Sequence, residues 1–338
     1  LCGAGGEPVT EALTRMGAKV YTPESQAAPS GEFATCPNPN PENDAAFAES
    51  FKLADTVEHD IVLATDPDSD RIACAVKTEG GYRKLSGNEM GCLLLDYILG
   101  ACQRKGTMPK APMAVMSIVS SPMAAKIAEF YGCFMRITPT GFKYIGAAIA
   151  ELEQENRPED FIMGFEESCG YLKGTYCRDK DAVVTAMLIC EMAAFHKSQG
   201  RTLLSAMDAL YEAYGYMAAT LQNVVFTTPE IKERCQKKQQ QLKVAPPDQV
   251  AGIPVIAATD FASGIRTVLA DGSQTQLDFP RENMMRLELE AGGRVIIRPS
   301  GTEPKMKLYY TAISTVSMED AYAAAARMQE GMTEFLNN

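Results

Sequence analysis

A chain of 338 residues, 46% of them apolar, is long enough for about two or three domains with ordinary buried cores. Its net charge of −11 excludes nucleic-acid binding, which needs a basic face, and leaves anionic ligands to local Arg and Lys clusters. With only His59 and His196, a His-rich metal centre is excluded. The ten Cys include no C-x-x-C pair and read as reduced thiols of a cytoplasmic protein. No apolar run reaches the ~18 residues of a transmembrane helix and no signal peptide is visible, so no membrane role is expected.

The chain opens on a glycine-rich turn, Leu1 to Gly6, leading into a helix with Pro8 in its first turn. It is no dinucleotide fingerprint, because no third glycine follows Gly3 and Gly5 in place. A short strand is expected over 19–21. Residues 22–43, with Pro23, Pro29, Pro37, Pro39 and Pro41, form a long loop of the kind that is functional or packed across a face. Asp44 reads as the cap of a helix to about Val57. An apolar run, 61–64, then drops into Asp66-Pro67-Asp68-Ser69-Asp70-Arg71, and a second run, 72–76, leads to a hairpin turned at Gly80-Gly81. This order reads as a doubly wound α/β unit over 1–87.

A second α/β unit is expected over 88–216. Asn88 reads as the cap of a helix over 89–102. Strands over 113–118, 134–137 and 161–165 alternate with helices over 122–131 and about 142–153, and helices over 181–199 and 203–214 close the unit. From Ala218 the texture changes: a strand, a charged helix over 229–242, several strands rich in Val, Ile and Arg, and a final helix over 317–336. That is a smaller α+β domain, 217–338.

Four loops carry chemistry. In an extended loop alternate side chains share a face, so Asp66, Asp68 and Asp70 can converge on one hard cation. A calcium EF-hand is rejected because its sixth and twelfth positions, where Gly and Glu belong, hold Arg71 and Lys77. A solvated acidic turn remains the alternative. Arg298-Pro299-Ser300-Gly301-Thr302-Glu303-Pro304-Lys305 combines loop amides, hydroxyls and two cations, the groups that bind a phosphate dianion, and is preferred to an ordinary turn. Glu166-Glu167-Ser168-Cys169-Gly170 suits either sugar hydroxyls or a helix-capping turn. Arg178-Asp179-Lys180-Asp181 reads as a solvated charge run or as a lysine acting as general acid/base beside carboxylates. Thr140-Gly141-Phe142-Lys143 is the weakest signal.

In this order the loops resemble those of the α-D-phosphohexomutases, the phosphoglucomutase/phosphomannomutase superfamily. Asp66 to Arg71 resembles its Mg²⁺ loop, Phe165 to Ser168 its sugar-specificity loop and Arg298 to Lys305 its phosphate loop. Pro139 to Lys143 and Arg178 to Asp181 fit its glucose-handling branch. The resemblance implies domains II, III and IV of four, over 1–87, 88–216 and 217–338. It also implies a cytoplasmic enzyme interconverting glucose 1-phosphate and glucose 6-phosphate through a phosphoserine, with glucose 1,6-bisphosphate as intermediate and activator. By family position Asp66, Asp68 and Asp70 would hold Mg²⁺, with Arg71 steadying the transferring group and Lys180 as general acid/base. Glu166, Ser168, Thr140, Gly141 and Arg178 would contact the sugar. Arg298, Ser300, Gly301, Thr302 and Lys305 would anchor the non-reacting phosphate. The family's Ser-His-Asn-Pro stretch does not occur here, and Ser120-Ser121-Pro122 lacks its His and Asn. Leu1-Cys2-Gly3-Ala4-Gly5 also departs from the family's Leu-His-Gly-Thr-Gly. The chain is therefore expected to be a fragment without turnover of its own. The alternatives are a phosphomannomutase, a non-catalytic phosphosugar or metal-binding module, and a metal-dependent phosphatase.

Overall fold

The computed structural model describes residues 1–301 and 303–337, which divide into two compact units, Leu1–Tyr214 and Gly215–Asn338. The first unit begins with α1 (Gly6–Arg15), α2 (Glu24–Ala27) and a 3-10 turn, Asp44–Phe47, running into α3 (Ala48–Ala54). An antiparallel sheet follows, in which β2 (Ile72–Thr78) lies between β1 (Val62–Thr65) and β3 (Gly81–Leu85). The register sets Thr65 opposite Ile72, so the acidic loop is the turn joining β1 to β2. Ile72 to Val76 are all buried, as in a strand covered on both faces.

Three local expectations are corrected here. Residues 19–21 form no strand, and the three described strands of this first sheet pair antiparallel. Asp44 makes no side-chain cap. The helix expected to start at Asn88 is α4 (Gly87–Lys105), capped by Ser86: its Oγ accepts from Glu89 N–H while the Glu89 carboxylate accepts from Ser86 N–H. Such a reciprocal box is worth roughly 1 kcal/mol. Asn88 Oδ1 instead accepts from Ser121 N–H.

The rest of this unit is β4 (Met113–Ser117), α5 (Met123–Phe130), β5 (Phe134–Thr138), α6 (Phe142–Gln154), β6 (Phe161–Glu166), β7 (Gly170–Leu172), α7 (Ala182–Ser198) and α8 (Leu203–Tyr214). The sheet order is β5-β4-β6-β7, with β4 parallel to both neighbours and β7 antiparallel. β4 and β6 are buried along their whole length because helices cover both faces. A Cβ on Gly164 would meet Ile145 of α6 at 2.4 Å, and one on Gly91 of α4 would meet the Phe165 ring at 2.4 Å. Successive residues of β6 thus face opposite layers. The carboxyl ends of β4, β5 and β6 (Ser117, Thr138, Glu166) lie side by side, where an α/β sheet presents its loops to ligands.

The second unit has β8 (Tyr216–Val225), α9 (Pro229–Val244), β9 (Gln249–Val250), β10 (Ile253–Asp260), β11 (Ile265–Val268), β12 (Gln274–Gln276), β13 (Met285–Leu289), β14 (Arg294–Pro299), β15 (Lys305–Ser314) and α10 (Met318–Asn337). Its antiparallel sheet runs β12-β11-β10-β13-β14-β15-β8, with β9 paired to β10. Leu287, Val295, Leu308 and Tyr310 form one core with Leu242 of α9 and Met328 of α10, the α+β arrangement expected. All ten cysteines are free. Among the described residues no helix is long and apolar enough to cross a membrane.

Candidate functional site

The acidic loop is held by its own backbone. Asp66 N–H donates to Arg71 O (3.3 Å), and Asp66 Oδ1 accepts from the N–H groups of Asp70 (3.1 Å) and Arg71 (2.9 Å). Ser69 turns the loop at φ 60°. One carboxylate oxygen each from Asp66, Asp68 and Asp70 then lies within 4.8 Å of the others. Burial, opposed by the Arg71 N–H and reinforced by Asp70 and Asp68, pushes the Asp66 carboxyl up to about 7. Asp70 Oδ1 is buried without a hydrogen-bond partner among the described residues. Three crowded oxygen donors, one of them orphaned, fit a hard divalent cation such as Mg²⁺, whose charge would relieve their repulsion.

Neighbouring segments are stitched to this loop. Ala4 N–H donates to Pro67 O (2.7 Å), an approach that needs glycine beside it: a Cβ on Gly3 would sit 2.1 Å from Pro67 O. Ile72 N–H donates to Cys169 O (3.0 Å) and Ala182 N–H to Ser69 O (3.1 Å), which brings the loop after β6 and the start of α7 onto the acidic turn. Lys180 Nζ then reaches Asp70 Oδ2 (2.8 Å) and Asp179 Oδ1 (3.1 Å) and stands 5.6 Å from the Phe142 ring centre. Burial works to lower the Lys180 pKa, but the two carboxylates prevail and raise it. The Arg71 guanidinium lies 3.7–3.9 Å from Asp70, Asp66 and Glu42.

Glu166, at the end of β6, is buried, and its Oε1 accepts from Gly141 N–H (2.6 Å), so the 140–143 loop joins the same cluster. Burial raises the Glu166 pKa, opposed by that N–H, Lys180 and Arg71. Glu167 is half-buried, with Oε2 accepting from Ser117 Oγ (3.0 Å); desolvation of the carboxyl and the adjacent Glu166 push it up to about 7. Ser168 follows on the same loop. Arg178 points elsewhere: its guanidinium donates to Glu153 of α6 and to the carbonyls of Thr175 (2.6 Å) and Cys177 (3.1 Å).

In the second unit Arg298 lies in β14, Ser300 and Gly301 follow that strand and Lys305 opens β15, while Thr302 falls outside the described residues. Ser300 N–H donates to Lys305 O (2.9 Å), Glu303 N–H to Ser300 Oγ (3.2 Å), and Lys305 Nζ pairs with Glu303 (2.8 Å). Arg298 is directly opposite Lys307 in the ladder. Like charges so placed repel, and a bound anion would relieve them.

The sequence reading missed Glu42 and the backing role of Gly3. Position 42 is far from Arg71 in sequence and carried no motif; Gly3 lay in a stretch read only as a turn.

Three family models match this chain: "Phosphoglucomutase/phosphomannomutase, alpha/beta/alpha domain II" over 1–81, "alpha/beta/alpha domain III" over 86–214 and "C-terminal domain" over 230–327. A phosphoglucomutase of Staphylococcus epidermidis is 34% identical over 286 residues, covering 84% of this chain and 51% of that protein. The chain spans about half the length of the curated relatives it matches. Solved structures of a putative phosphomannomutase from Thermus thermophilus and of parafusin from Paramecium share the fold. Their TM-scores are 0.61 and 0.63 at 19% and 17% identity, covering 98% of this chain and 59% and 56% of those chains.

Proposed function

This chain belongs to the phosphoglucomutase/phosphomannomutase family, and from that premise we propose that it forms the metal, sugar and phosphate-binding part of a phosphoglucomutase, with 1–87, 88–216 and 217–338 as family domains II, III and IV. The reaction would be interconversion of glucose 1-phosphate and glucose 6-phosphate, with glucose 1,6-bisphosphate as intermediate and activator. The observation that carries the reading is the meeting of Asp66, Asp68 and Asp70 with Lys180 and Glu166 in one cluster.

Asp66, Asp68 and Asp70 would hold Mg²⁺. When bound, the ion supplies positive charge that polarises a phosphoryl oxygen. Arg71 would steady the same phosphoryl group. Lys180, kept protonated by Asp70 and Asp179, is suited to donate a proton to a leaving sugar oxygen and, once neutral, to take one from an attacking hydroxyl. Glu166 is fixed by Gly141 N–H, so its carboxylate can accept from a sugar hydroxyl, with Ser168 on the same loop. In the second unit Arg298, with Lys307 across the ladder, would hold the phosphate that does not react, helped by Ser300, Gly301, Thr302 and Lys305. Arg178, tied to Glu153, has the weakest case for a substrate role.

Without a Ser-His-Asn-Pro stretch, the 338 residues alone are expected to bind ligand but not turn over. The test is calorimetric binding of glucose 1-phosphate and mannose 1-phosphate with Mg²⁺, beside a coupled assay for glucose 6-phosphate. Binding of the glucose ester without turnover supports the proposal. Preference for mannose 1-phosphate would make it a phosphomannomutase, and turnover by the chain alone would sink the expected inactivity.

A further inference from the structure

The sheet of the second unit has two unlike faces. Leu287, Val295, Ile297, Leu308 and Tyr310 belong to the core shared with α9 and α10. Side chains alternate along a strand, so Thr259, Arg266, Arg286, Glu288, Arg294 and Thr311 stand on the other face, in adjacent places of the ladder. Among the described strand residues of that face, Glu288 is the one carboxylate.

Arg266 closes a fork on Glu288, with Nη2 at 2.6 Å and Nε at 3.1 Å from Oε2. Arg286 Nη2 donates to Glu288 Oε1 at 2.6 Å, so both carboxylate oxygens are engaged. Three guanidinium groups then share one negative charge, which leaves a surplus of two positive charges. The surplus is felt at Arg294: burial, reinforced by Arg286 and opposed by Glu288, pulls its pKa down to about 10. Arg286 Nε is buried and has no hydrogen-bond partner among the described residues.

The ladder fixes how these groups meet. Glu288 lies opposite Arg294, and Arg286 lies opposite Ile296. Arg286 and Arg294 are therefore diagonal neighbours, roughly 7–8 Å apart and within reach of long side chains. The Arg286 guanidinium sits 5.5 Å from the Phe261 ring centre, and Phe261 in turn packs on Phe279. Arg294 Nε donates to Thr311 Oγ1 at 3.2 Å. Both planes are held before a ligand arrives, so little side-chain freedom is lost on binding. Side-chain exposures of 29% for Arg266, 22% for Glu288 and 21% for Arg286 leave the group open to solvent.

We propose that Arg286 and Arg294 bind a phosphate dianion on this face of the sheet, at a site separate from the loop between β14 and β15. Two negative charges match the surplus, and guanidinium forks pair with phosphate oxygens two at a time. The dianion also gives Arg286 Nε the acceptor it lacks. Arg294 lies four residues before Arg298, about 13 Å along the strand, so the site belongs to the ladder beside β13 and does not need the loop's phosphate. Inorganic phosphate and the ester group of a sugar phosphate both offer this chemistry.

The test is calorimetry at low salt with inorganic phosphate and with glucose 6-phosphate, on the 338-residue chain carrying Arg298→Ala to weaken the loop. Phosphate binding should persist there. Adding Arg286→Gln or Arg294→Gln should weaken it at least tenfold, and Arg294→Lys, which keeps the charge but loses the fork, should weaken it less. Glu288→Gln removes the competing carboxylate and should tighten it several-fold. Opposite signs distinguish a binding site from a packing role, since loss of structure would weaken binding in every variant. Equal affinity for the two ligands assigns recognition to the phosphate group alone, and tighter glucose 6-phosphate assigns a phosphosugar as its source. Absence of phosphate binding in Arg298→Ala overturns the site, and so does binding that ignores Arg286→Gln or weakens in Glu288→Gln.

Discussion

Lys180 Nζ lies 2.8 Å from Asp70 Oδ2, so the proposed proton donor and the proposed metal cluster share a carboxylate. The contact exists because Asp181 caps α7 through the N–H groups of Val183 and Val184, while Ala182 N–H binds Ser69 O, fixing the helix start onto the acidic turn. A Cβ on Gly170 would lie 2.2 Å from Lys180 Cδ, so glycine there leaves the lysine its path.

Sharing Asp70 makes Lys180 a competitor of the cation. Lys180→Met should tighten divalent-ion binding several-fold, read by Mn²⁺ titration, because a positive charge beside the donors is removed. In a form with mutase activity the same change should lower turnover by about 100-fold or more. Weaker Mn²⁺ binding in Lys180→Met would mean that the lysine orders the loop rather than opposing the ion.

Glu167 gives a pH signature. Its carboxyl, pushed up to about 7 by burial and Glu166, favours the protonated form when folded, against an ordinary value near 4.5. Its stability contribution is therefore complete below about pH 4.5 and is lost as pH rises toward 7. Glu167→Gln, which cannot ionise, should remove that decline and be more stable at pH 8 by on the order of 1–2 kcal/mol, with little gain at pH 5. Denaturant midpoints at the two pH values decide; an equal shift at both would contradict the assignment.

Gly3→Ala tests how the opening turn backs the acidic loop. With backbone atoms of Pro67 2.1–2.6 Å from the added carbon, the loop must move, so metal affinity should fall along with stability, by about 2 kcal/mol for the latter. Gly31→Ala, with open space around it, should change neither. Loss of stability with unchanged metal affinity would separate the turn from the site.

Arg298 and Lys305 should differ as phosphate ligands. Lys305 is paired with Glu303, whereas Arg298 faces the like charge of Lys307 across the ladder. Arg298→Ala should weaken inorganic phosphate binding about tenfold and Lys305→Ala less, as measured by calorimetry at low salt. The reverse order would move the anion site toward the loop tip.

The acidic loop was legible because alternation of three carboxylates between two apolar runs is a local pattern. Strands 113–117 and 161–166 were legible for the same reason, as short apolar runs bounded by turn residues. Contacts closed over distance were not: Glu42 reaches Arg71 only after a long proline-rich loop has folded back, pinned where Lys84 meets Asp44 (2.7 Å). Asn88 looked like a cap, but Ser86 and Glu89 satisfy each other's backbone donors, and reciprocity decided the start of α4. The segment 19–21 was read as a short strand, yet among the described residues it joins no ladder.

The most direct test of the central claim is Mn²⁺ titration of the chain and of Asp68→Asn, each with and without glucose 1-phosphate. Asp68 is exposed, so its replacement should leave the fold intact. The expected result is one Mn²⁺ site that tightens with the sugar phosphate and weakens at least tenfold in Asp68→Asn, with an unchanged circular dichroism spectrum. Equal affinity in the two proteins, or a site indifferent to the sugar phosphate, would contradict the assignment of this cluster as the metal and sugar-phosphate centre.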